Sequence, residues 1–231
     1  DLAERLPASL ELTLVALLLS CAIAIPLGVW AAVRQGSWID HLCRVLVTAG
    51  VSLPTFFTGV LLIYIFYYVL GWAPSPLGRL DFIYLPPPHV TGFYLIDAPL
   101  ARDSETFFAA LRQLLLPATT LALFTLAPIA RMTRAAMLSA LSSDYVRTAR
   151  AKGLGEKTVV MVHVLRNSLI PVVTVIALGI PAIFGGAIIT EQVFKVNGIG
   201  QLLITAIQAN DLPMVQTLTF IFAILIVVFN L

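Results

Sequence analysis

The sequence contains few charged residues for its length. Of its 231 residues, 59% are hydrophobic and only 11% are charged, with 14 Lys and Arg against 12 Asp and Glu. A water-soluble globular domain carries about 25% charged residues, so this composition argues against one. The net charge of +2 also provides no basic field for binding nucleic acid.

Cysteine and histidine are scarce as well, which argues against several kinds of site. Cys21 and Cys43 are far apart and form no CxxC pattern, so neither a disulfide framework nor a cysteine metal site is indicated. His41, His89 and His163 are isolated and no HExxH pair is present, which disfavours an intramembrane metalloprotease. We therefore predict no catalytic residue and no metal ligand.

Charged residues are missing altogether from five long stretches of the chain, residues 12–33, 45–70, 113–130, 167–190 and 212–231. An apolar helix needs about 20 residues to cross the hydrocarbon core of a bilayer, and the stretches are close to that length or longer. We therefore predict an all-α polytopic membrane protein. The predicted spans are residues 10–33, 45–70, 113–131, 168–190 and 212–231.

The five uncharged stretches also lack histidine. A proton-driven or ion-driven transporter places ionisable side chains in the membrane interior to bind the driving ion, so a self-sufficient pump of that kind is disfavoured. The segment Lys152–Thr158 resembles a phosphate loop only superficially, because Gly-Lys-Ser/Thr is not contiguous and no strand precedes it. If the protein moves a solute against its concentration gradient, a separate partner must supply the energy.

The distribution of basic residues predicts the orientation in the membrane. Loops 33–44 and 131–166 contain nine of the 14 Lys and Arg residues. The other five lie in the N-terminal segment, in loop 71–112 and in segment 191–211. Because Lys and Arg are enriched on the cytoplasmic side, the first two loops are predicted to be cytoplasmic and the other segments external.

The predicted external loop 71–112 is rich in proline. It contains six of the 14 prolines, so we expect little long regular structure there. A short helix from Ser104 to Arg112, with Ser104 as its N-cap, is expected to lead into the third span.

A short helix is predicted within the second cytoplasmic loop, residues 132–167. Ser143 or Asp144 suits its N-cap, residues 145–152 favour a helix, and Gly153 suits the left-handed residue that ends one. The helix offers a small apolar surface framed by basic side chains, namely Tyr145, Val146, Ala149 and Leu154 with Arg147, Arg150 and Lys152. Such a helix suits docking into a partner's groove. The alternative is an ordinary basic loop that only satisfies the topology rule.

Two runs in this loop carry a family resemblance. They are Asp-Tyr-Val-Arg-Thr-Ala-Arg-Ala-Lys-Gly-Leu at 144–154 and His-Val-Leu-Arg-Asn-Ser-Leu-Ile-Pro at 163–171. Together they resemble the coupling-loop signature of type I ABC importer permeases, in the variant found in the dipeptide/oligopeptide/nickel permease family. In the wider superfamily the loop reads Glu-Ala-Ala, three residues, then Gly. Here those positions are Arg147, Thr148, Ala149 and Gly153, and the arginine matches the peptide-permease variant.

The resemblance extends over nearly the whole chain. It includes Ala-Arg-Met-Thr-Arg at 130–134, Gly-Gly-Ala at 185–187, Glu-Gln-Val-Phe at 191–194 and Gly-Ile-Gly at 198–200. The external run Thr-Gly-Phe-Tyr-Leu-Ile-Asp at 91–97 is most similar to the first of the two membrane subunits of dipeptide permeases. This favours dipeptides over nickel as the substrate.

The resemblance implies a single transmembrane domain, the helix bundle of a type I ABC importer with a cytoplasmic coupling helix. It also implies a homologous second permease subunit, two cytoplasmic ATPase subunits that hold ATP and Mg²⁺, and a periplasmic or extracellular solute-binding protein. No cofactor is expected on this chain, and the expected location is the bacterial inner membrane. The family has six spans, so with Asp1 first and Leu231 inside an apolar run we expect the chain to be incomplete at both ends.

Three groups of residues are assigned roles on this basis. The ATPase-coupling residues are Asp144, Tyr145, Val146, Arg147, Thr148, Ala149, Arg150, Lys152, Gly153 and Leu154. Within that group, Tyr145, Ala149 and Leu154 are expected to seat the helix, and the basic residues are expected to contact acidic or carbonyl groups of the ATPase. The candidate pathway residues are Ser52, Thr55, Thr58, Gly59, Gly185 and Gly186. The candidate contacts for the binding protein are Asp81, Asp97, Asp103 and Glu105.

Other functions stay open at this point. Within transport, a nickel-chelate or longer-peptide permease is the alternative, because substrate selection in such systems rests largely with the binding protein. Outside transport, a membrane-embedded enzyme or a scaffold is the remaining class. Small residues such as Gly59 also mark close helix packing as often as a pathway.

Overall fold

A computed structural model describes residues 2–230, except for the side chains at 39, 46, 51, 229 and 230. Within that range the chain forms helices and no strand, which confirms the all-α prediction. The helices are α1 (Leu2–Val33), α2 (Trp38–Ser52), α3 (Thr55–Leu62), α4 (Tyr94–Leu100), α5 (Ser104–Leu141), α6 (Asp144–Ala151), α7 (Glu156–Thr158), α8 (Leu165–Phe194), α9 (Ile199–Gln208) and α10 (Leu212–Asn230). Two π-helical segments follow α3 and α7, namely Ile63–Val69 and Val159–Val164.

Three helical stretches are long and apolar enough to cross a membrane: α1, α5 and the continuous run Glu156–Phe194. A broken pair, Asp40–Gly50 with Thr55–Val69, makes a fourth if it counts as one span. Helix α10 is apolar but shorter than these. The five-span topology therefore stays a prediction.

The second predicted span, 45–70, is not one continuous helix. Helix α2 ends at Ser52 and α3 begins at Thr55, with Pro54 in the N-cap position at φ −58°. Proline has no backbone N–H to donate and disfavours the helical conformation of the residue before it, here Leu53. This explains why the helix breaks where the apolar pattern alone predicts continuity.

Helix α5 is longer than predicted and begins differently. It runs far past both ends of the predicted span 113–131, and the expected short helix from Ser104 to Arg112 is its first part. The N-cap is Asp103 rather than Ser104. The Asp103 carboxylate accepts hydrogen bonds from the Thr106 N–H at 3.0 Å and from the Thr106 hydroxyl at 2.6 Å. Such a carboxylate satisfies a donor that the first helical turn leaves free.

The described chain divides into two compact units. The first comprises the described parts of residues 1–19, 53–122 and 180–231. Its core joins side chains of α1, α5 and α8, namely Leu12, Ala16, Leu114, Ala118, Leu121, Ile183 and Ala187. The three alanines keep the helices close, as small residues do in membrane bundles.

The second unit comprises residues 20–52 and 123–179, and it contains both predicted cytoplasmic loops. One of its apolar clusters joins α1, α2, α5 and α8 through Ala24, Val47, Leu126, Ala127, Ile129, Ala130 and Val172. The other, called here the α6 cluster, consists of Val29, Ala32, Met137, Val146, Ala149, Val159, Val160 and Val164. The predicted coupling loop is thus largely helical and packs on its own core.

Candidate functional site

Helix α6 has one buried face and one exposed face. Val146 is fully buried and Ala149 is 8% exposed, and both pack in the α6 cluster. Residues three apart lie on the same side of a helix, so this pair forms a single apolar stripe. Tyr145 and Leu154 are instead 40% exposed.

The predicted apolar contact surface is therefore corrected. Val146 and Ala149 belong to the chain's own core and are not free to seat a partner, contrary to the expectation for Ala149. Tyr145 and Leu154 remain accessible. The correction has a physical basis, because a helix of eight residues in water needs tertiary packing of one face to be stable.

The accessible face of α6 and its following turn carries mixed chemistry. We call it the contact strip, and it consists of Tyr145, Arg147, Thr148, Lys152 and Leu154, all exposed. Arg147 lies 3.6 Å from the Asp144 carboxylate, but both side chains are largely solvated. Exposed pairs of this kind contribute little, so the Arg147 guanidinium remains available to a partner.

The end of α6 is fixed by a glycine. Gly153 adopts φ +79°, as predicted for a helix-ending residue. Its N–H donates to the Arg150 carbonyl at 2.9 Å, and the Leu154 N–H donates to the Ala149 carbonyl at 3.4 Å. Ser143 occupies the N-cap position, although its hydroxyl donates to the Ala140 carbonyl rather than capping α6.

A bidentate ion pair closes the turn after α6. Arg150 donates from Nε to Glu156 Oε2 at 3.0 Å and from Nη2 to Oε1 at 2.6 Å. Glu156 begins α7, so the pair joins the two ends of the turn 152–155. Arg150 was expected to contact a partner, but in this structure its guanidinium is held by Glu156.

In the first unit, Asp97 organises the external loop. It is 1% exposed, and its carboxylate accepts hydrogen bonds from the Thr91 N–H, the Thr91 hydroxyl and the Gly92 N–H at 2.7–2.9 Å, with the Val90 N–H at 3.3 Å. Burial alone would raise the pKa of Asp97, but these donors outweigh it and hold the pKa below its usual range. Asp97 is therefore not an accessible contact for a binding protein, contrary to the sequence-based expectation.

The same loop is anchored to α1 through Arg79. The Arg79 guanidinium pairs with the buried Glu11 carboxylate, donates to the Gly92 carbonyl at 2.8 Å and lies 3.7 Å from the centre of the Tyr94 ring. Glu11 also accepts the Leu95 N–H at 2.7 Å. Charge-assisted and cation–π contacts together hold this loop in one conformation.

The remaining predicted external contacts differ in accessibility. Asp103 is half-buried, and its carboxylate caps the N-terminus of α5. Asp81 is half-buried and Glu105 is exposed. These two acidic side chains remain available as contacts.

We predict that Asp97→Asn loosens the external loop. The asparagine amide replaces one acceptor oxygen with an NH₂ donor that faces the N–H and O–H donors of the loop. We therefore expect the free energy of unfolding to fall by about 2 kcal/mol at neutral pH. The effect is measured by thermal unfolding and by limited proteolysis of the purified full-length protein. Glu105→Gln, at an exposed carboxylate in the same segment, is the control and should leave both readings unchanged.

The pH dependence provides an independent check on this prediction. Because the native pKa of Asp97 is lowered, its stabilising contribution is present above the ordinary carboxyl pKa and is lost as the pH falls through the lower native value. The difference in stability between the Asp97→Asn variant and the parent should therefore begin to shrink below about pH 4 and continue to shrink as the pH falls further. A constant difference across this range would contradict the assignment.

Glu191 is a buried carboxylate that the sequence reasoning did not assign. It is 1% exposed near the end of α8, and it accepts hydrogen bonds from the Ser9 hydroxyl and from the Gln201 N–H, the latter at 2.9 Å. Ser9 in turn accepts the Ile199 N–H at 2.9 Å. An added Cβ at Gly198 would lie 2.4 Å from the Glu191 carboxyl group. A charged residue directly after an uncharged span was the signal that could have indicated it.

The candidate pathway residues do not share one environment. Thr58 and Gly59 are buried, and a Cβ at Gly59 would lie 3.3 Å from Phe194. A Cβ at Gly186 would lie 3.2 Å from Leu121. These three positions therefore serve close packing in this structure.

The other three pathway candidates are not tightly packed. Gly185 has no atom within 4 Å of an added Cβ, Ser52 is exposed and Thr55 is partly exposed. Ser52 belongs to the second unit and the other two belong to the first. Across residues 2–230, no group of three or more His, Cys, Asp or Glu side chains is arranged to hold a metal ion.

Comparison with known proteins decides the family. A family model described as "Binding-protein-dependent transport system inner membrane component" matches residues 24–231, which is most of the chain. The chain belongs to this family. Its members are membrane components of transport systems rather than enzymes, so the resemblance inferred from the coupling-loop residues is confirmed.

Three curated relatives in this family illustrate the similarity. The "Probable D,D-dipeptide transport system permease protein DdpB" of Escherichia coli K12 is 46% identical over 225 residues, covering 97% of this chain and 66% of the relative. The "Di/tripeptide transport system permease protein DppB" of Pseudomonas aeruginosa UCBPP-PA14 is 47% identical over 224 residues, covering 97% of this chain and 66% of the relative. The "Dipeptide transport system permease protein DppB" of E. coli K12 is 42% identical over 234 residues, covering 100% of this chain and 68% of the relative. The chain thus spans about two thirds of the length of these relatives.

Proposed function

We propose that the chain is a transmembrane subunit of an ATP-driven ABC importer that moves dipeptides or short peptides across the bacterial inner membrane. One observation carries the proposal: α6 is held by its own core through Val146 and Ala149, while Tyr145 and Leu154 stay exposed. A helix built this way can receive force from a partner without detaching from its chain. The peptide transport named for the three relatives supports the substrate class.

The proposed assembly contains four kinds of partner. A homologous permease subunit completes the pathway. Two cytoplasmic ATPase subunits bind ATP and Mg²⁺, and they dock on the contact strip of this chain. A periplasmic or extracellular solute-binding protein delivers the peptide, and membrane lipid surrounds the helices. This chain contributes the membrane pathway and the receiving helix, and the chemistry of ATP hydrolysis belongs to the partners.

The packing of α6 provides a route for the mechanical step. Val146 and Ala149 pack with Val29 of α1, Met137 of α5 and Val164, which directly precedes α8. Protein cores are close-packed and have few discrete arrangements, so a displaced α6 moves these neighbours with it. In this proposal the ATPase moves α6, and α1, α5 and α8 carry the motion into the membrane.

The external face has a separate proposed task. Arg79 and Asp97 hold the loop in a fixed conformation, and Asp81 and Glu105 present carboxylates to the binding protein. Thr55 and Gly185 of the first unit, and Ser52 of the second, are retained as candidate pathway residues. Thr58, Gly59 and Gly186 are assigned to helix packing instead.

Two other functions are tested alongside this one. A nickel or oligopeptide permease would use the same helix and partners with a different binding protein. A membrane-embedded enzyme or a scaffold would need no ATPase. The relatives' names favour peptides, and the exposed face of α6 favours a subunit with an ATPase partner.

The test uses the full-length gene in a bacterial strain that lacks the endogenous peptide permease. Affinity purification of the protein should recover a homologous permease and two ATPase chains, and the strain should regain uptake of a labelled dipeptide. Uptake of nickel without dipeptide uptake would replace the substrate assignment. Recovery of the protein alone, with no restored uptake of either, would overturn the transport assignment.

A further inference from the structure

The first unit contains a cleft on the predicted external side, called here the external cleft. It lies between the first turns of α1, the loop segments 77–86 and 89–94, and Asn197 in the turn before α9, all within that unit. Its volume is about 680 Å³. Sites for small molecules commonly measure about 300–1,000 Å³, so the external cleft has the size of a ligand site.

The walls of the external cleft are fixed by contacts within the unit. The Gly78 N–H donates to the last carbonyl of α8 at 3.1 Å, which holds segment 77–86 in place. A Cβ at Gly92 would lie 2.7 Å from the side chain of Pro7, so segment 89–94 packs closely on α1. Arg79 joins the two segments, because it donates to the Gly92 carbonyl at 2.8 Å. A cleft formed in this way spares a ligand the entropic cost of ordering the loop.

Charges of both signs line the external cleft. They belong to Glu4, Arg5, Arg79 and Asp81. Arg79 is already paired with the buried Glu11, so its charge is balanced. Arg5 and Asp81 are half-buried, and neither side chain forms an ion pair in the part of the chain that the structure describes. The cleft therefore offers a guanidinium and a carboxylate that can each pair with an opposite charge on a ligand.

Large apolar side chains line the same cleft without being covered by the chain. Phe82 is 82% exposed, Leu85 is 84% exposed and Leu77 is 47% exposed. Clustered apolar side chains that stay in contact with water commonly mark a binding site. Here they adjoin charged groups, which is the combination that orients a ligand in its site.

We propose that the external cleft binds a short peptide with both of its termini charged. The peptide carboxylate pairs with Arg5, the peptide amino group pairs with Asp81, and the peptide side chains contact Phe82 and Leu85. Charge-assisted hydrogen bonds of this kind are stronger than neutral ones, so the cleft favours a free peptide over one with a blocked terminus. This inference rests on the proposed function and adds a peptide site on this chain.

The size of the external cleft favours a short peptide over the surface of a folded protein. Two extended residues span about 7 Å, which fits a cleft of this volume. A protein–protein interface instead buries about 800 Å² on each partner, so a binding protein covers the cleft rather than filling it. Asp81 is also a proposed contact for the binding protein. A peptide released there is therefore next to the cleft.

The test uses a photoreactive dipeptide, alanyl-photoleucine. The full-length transporter, with its partner subunits but without the binding protein, is illuminated with this dipeptide in nanodiscs, and mass spectrometry locates the adducts. We expect adducts within segments 77–86 and 89–94 that unlabelled alanyl-leucine suppresses. Alanyl-leucine amide and N-acetyl-alanyl-leucine each lack one charged terminus, so we expect each to compete about tenfold more weakly.

Two variants assign the termini to their partners. With Arg5→Gln, the free dipeptide should compete about tenfold more weakly and no better than its amide, while the acetylated form stays distinguished. Asp81→Asn should give the converse result, and docking of the binding protein cannot cause it because that protein is omitted. A purely structural role would not change the recognition of one terminus alone.

Arg112→Gln is the matched control for these variants. Arg112 is an exposed arginine of α5 in the same unit, and it does not line the external cleft. Its removal should leave both the adducts and the order of the competitors unchanged.

The outcomes separate this inference from the proposed function. Equal competition by the free, amidated and acetylated dipeptides, or adducts only in other segments or in a partner subunit, would overturn the peptide site. A parent transporter that restores dipeptide uptake in cells but forms no adduct in the cleft would overturn the site and leave the proposed function standing. A parent that restores no dipeptide uptake would contradict the proposed function itself.

Discussion

Gly153→Val is expected to uncouple ATP hydrolysis from peptide uptake. Gly153 adopts φ +79°, a left-handed conformation that costs an L-residue about 1–2 kcal/mol and disfavours a β-branched side chain further. The turn after α6 must therefore rearrange, which shifts Leu154 and the contact strip relative to the buried face of α6. Uptake of a labelled dipeptide should fall about tenfold or more, and substrate-stimulated ATPase activity of the reconstituted transporter should be lost.

The chain offers a matched control two residues away. Gly155 has φ −63°, and an added Cβ there meets no atom within 4 Å, so Gly155→Val adds the same side chain without left-handed strain. This variant should keep both uptake and stimulated ATPase activity. Normal coupling in Gly153→Val, or equal losses in both variants, would contradict the role assigned to the turn.

Val146→Asp is expected to abolish assembly of the transporter. Val146 is fully buried in the α6 cluster, where a carboxylate finds no cationic partner among the cluster's apolar side chains. An uncompensated buried charge costs about 3–5 kcal/mol, a large part of the stability of a typical domain. We expect α6 to detach, and the ATPase subunits to be missing when the tagged permease is purified from membranes.

Thr148→Asp provides the comparison for this prediction, since it places the same carboxylate on the exposed face of α6. It should leave the permease folded and at normal abundance in the membrane. Its effect is expected in the affinity for the ATPase alone. If Val146→Asp kept the ATPase subunits bound, the buried face of α6 would not be the anchor that the structure indicates.

Local sequence chemistry was sufficient to predict α6 but not which of its faces is buried. Gly153 ends α6 in a left-handed conformation, and Ser143 occupies the N-cap position without a side-chain cap; both positions depend on a few neighbouring residues. An apolar side chain such as Ala149, however, suits a partner's groove and the chain's own core equally well. Only tertiary packing against residues such as Met137 distinguishes the two.

Acidic residues were harder to interpret from the sequence. Asp97 and Glu191 look like surface residues in a loop and at a helix end, yet both are buried and hydrogen-bonded. One partner of Glu191 is Ser9, which lies near the other end of the sequence, and no local sequence pattern indicates so distant a contact. Asp103 was missed as the cap of α5 because Ser104, the next residue, is an equally good capping residue.

The break in the second predicted span shows a limit of apolar patterning. Residues 45–70 contain no charge, so hydropathy alone describes them as one span. Pro54 interrupts the hydrogen bonding of the helix and gives α3 its own N-terminus. A proline inside a span signals a kink or a break, and its neighbours in the folded chain decide which occurs.

Site-specific photo-crosslinking from Leu154 tests the central claim most directly. Benzoyl-phenylalanine at this exposed position, in the full-length transporter in native membranes, should form an adduct with an ATPase subunit. The same group at Glu105, an exposed position predicted on the external side, should not. A transporter that remains active yet forms no ATPase adduct from position 154 would show that the exposed face of α6 is not the coupling surface.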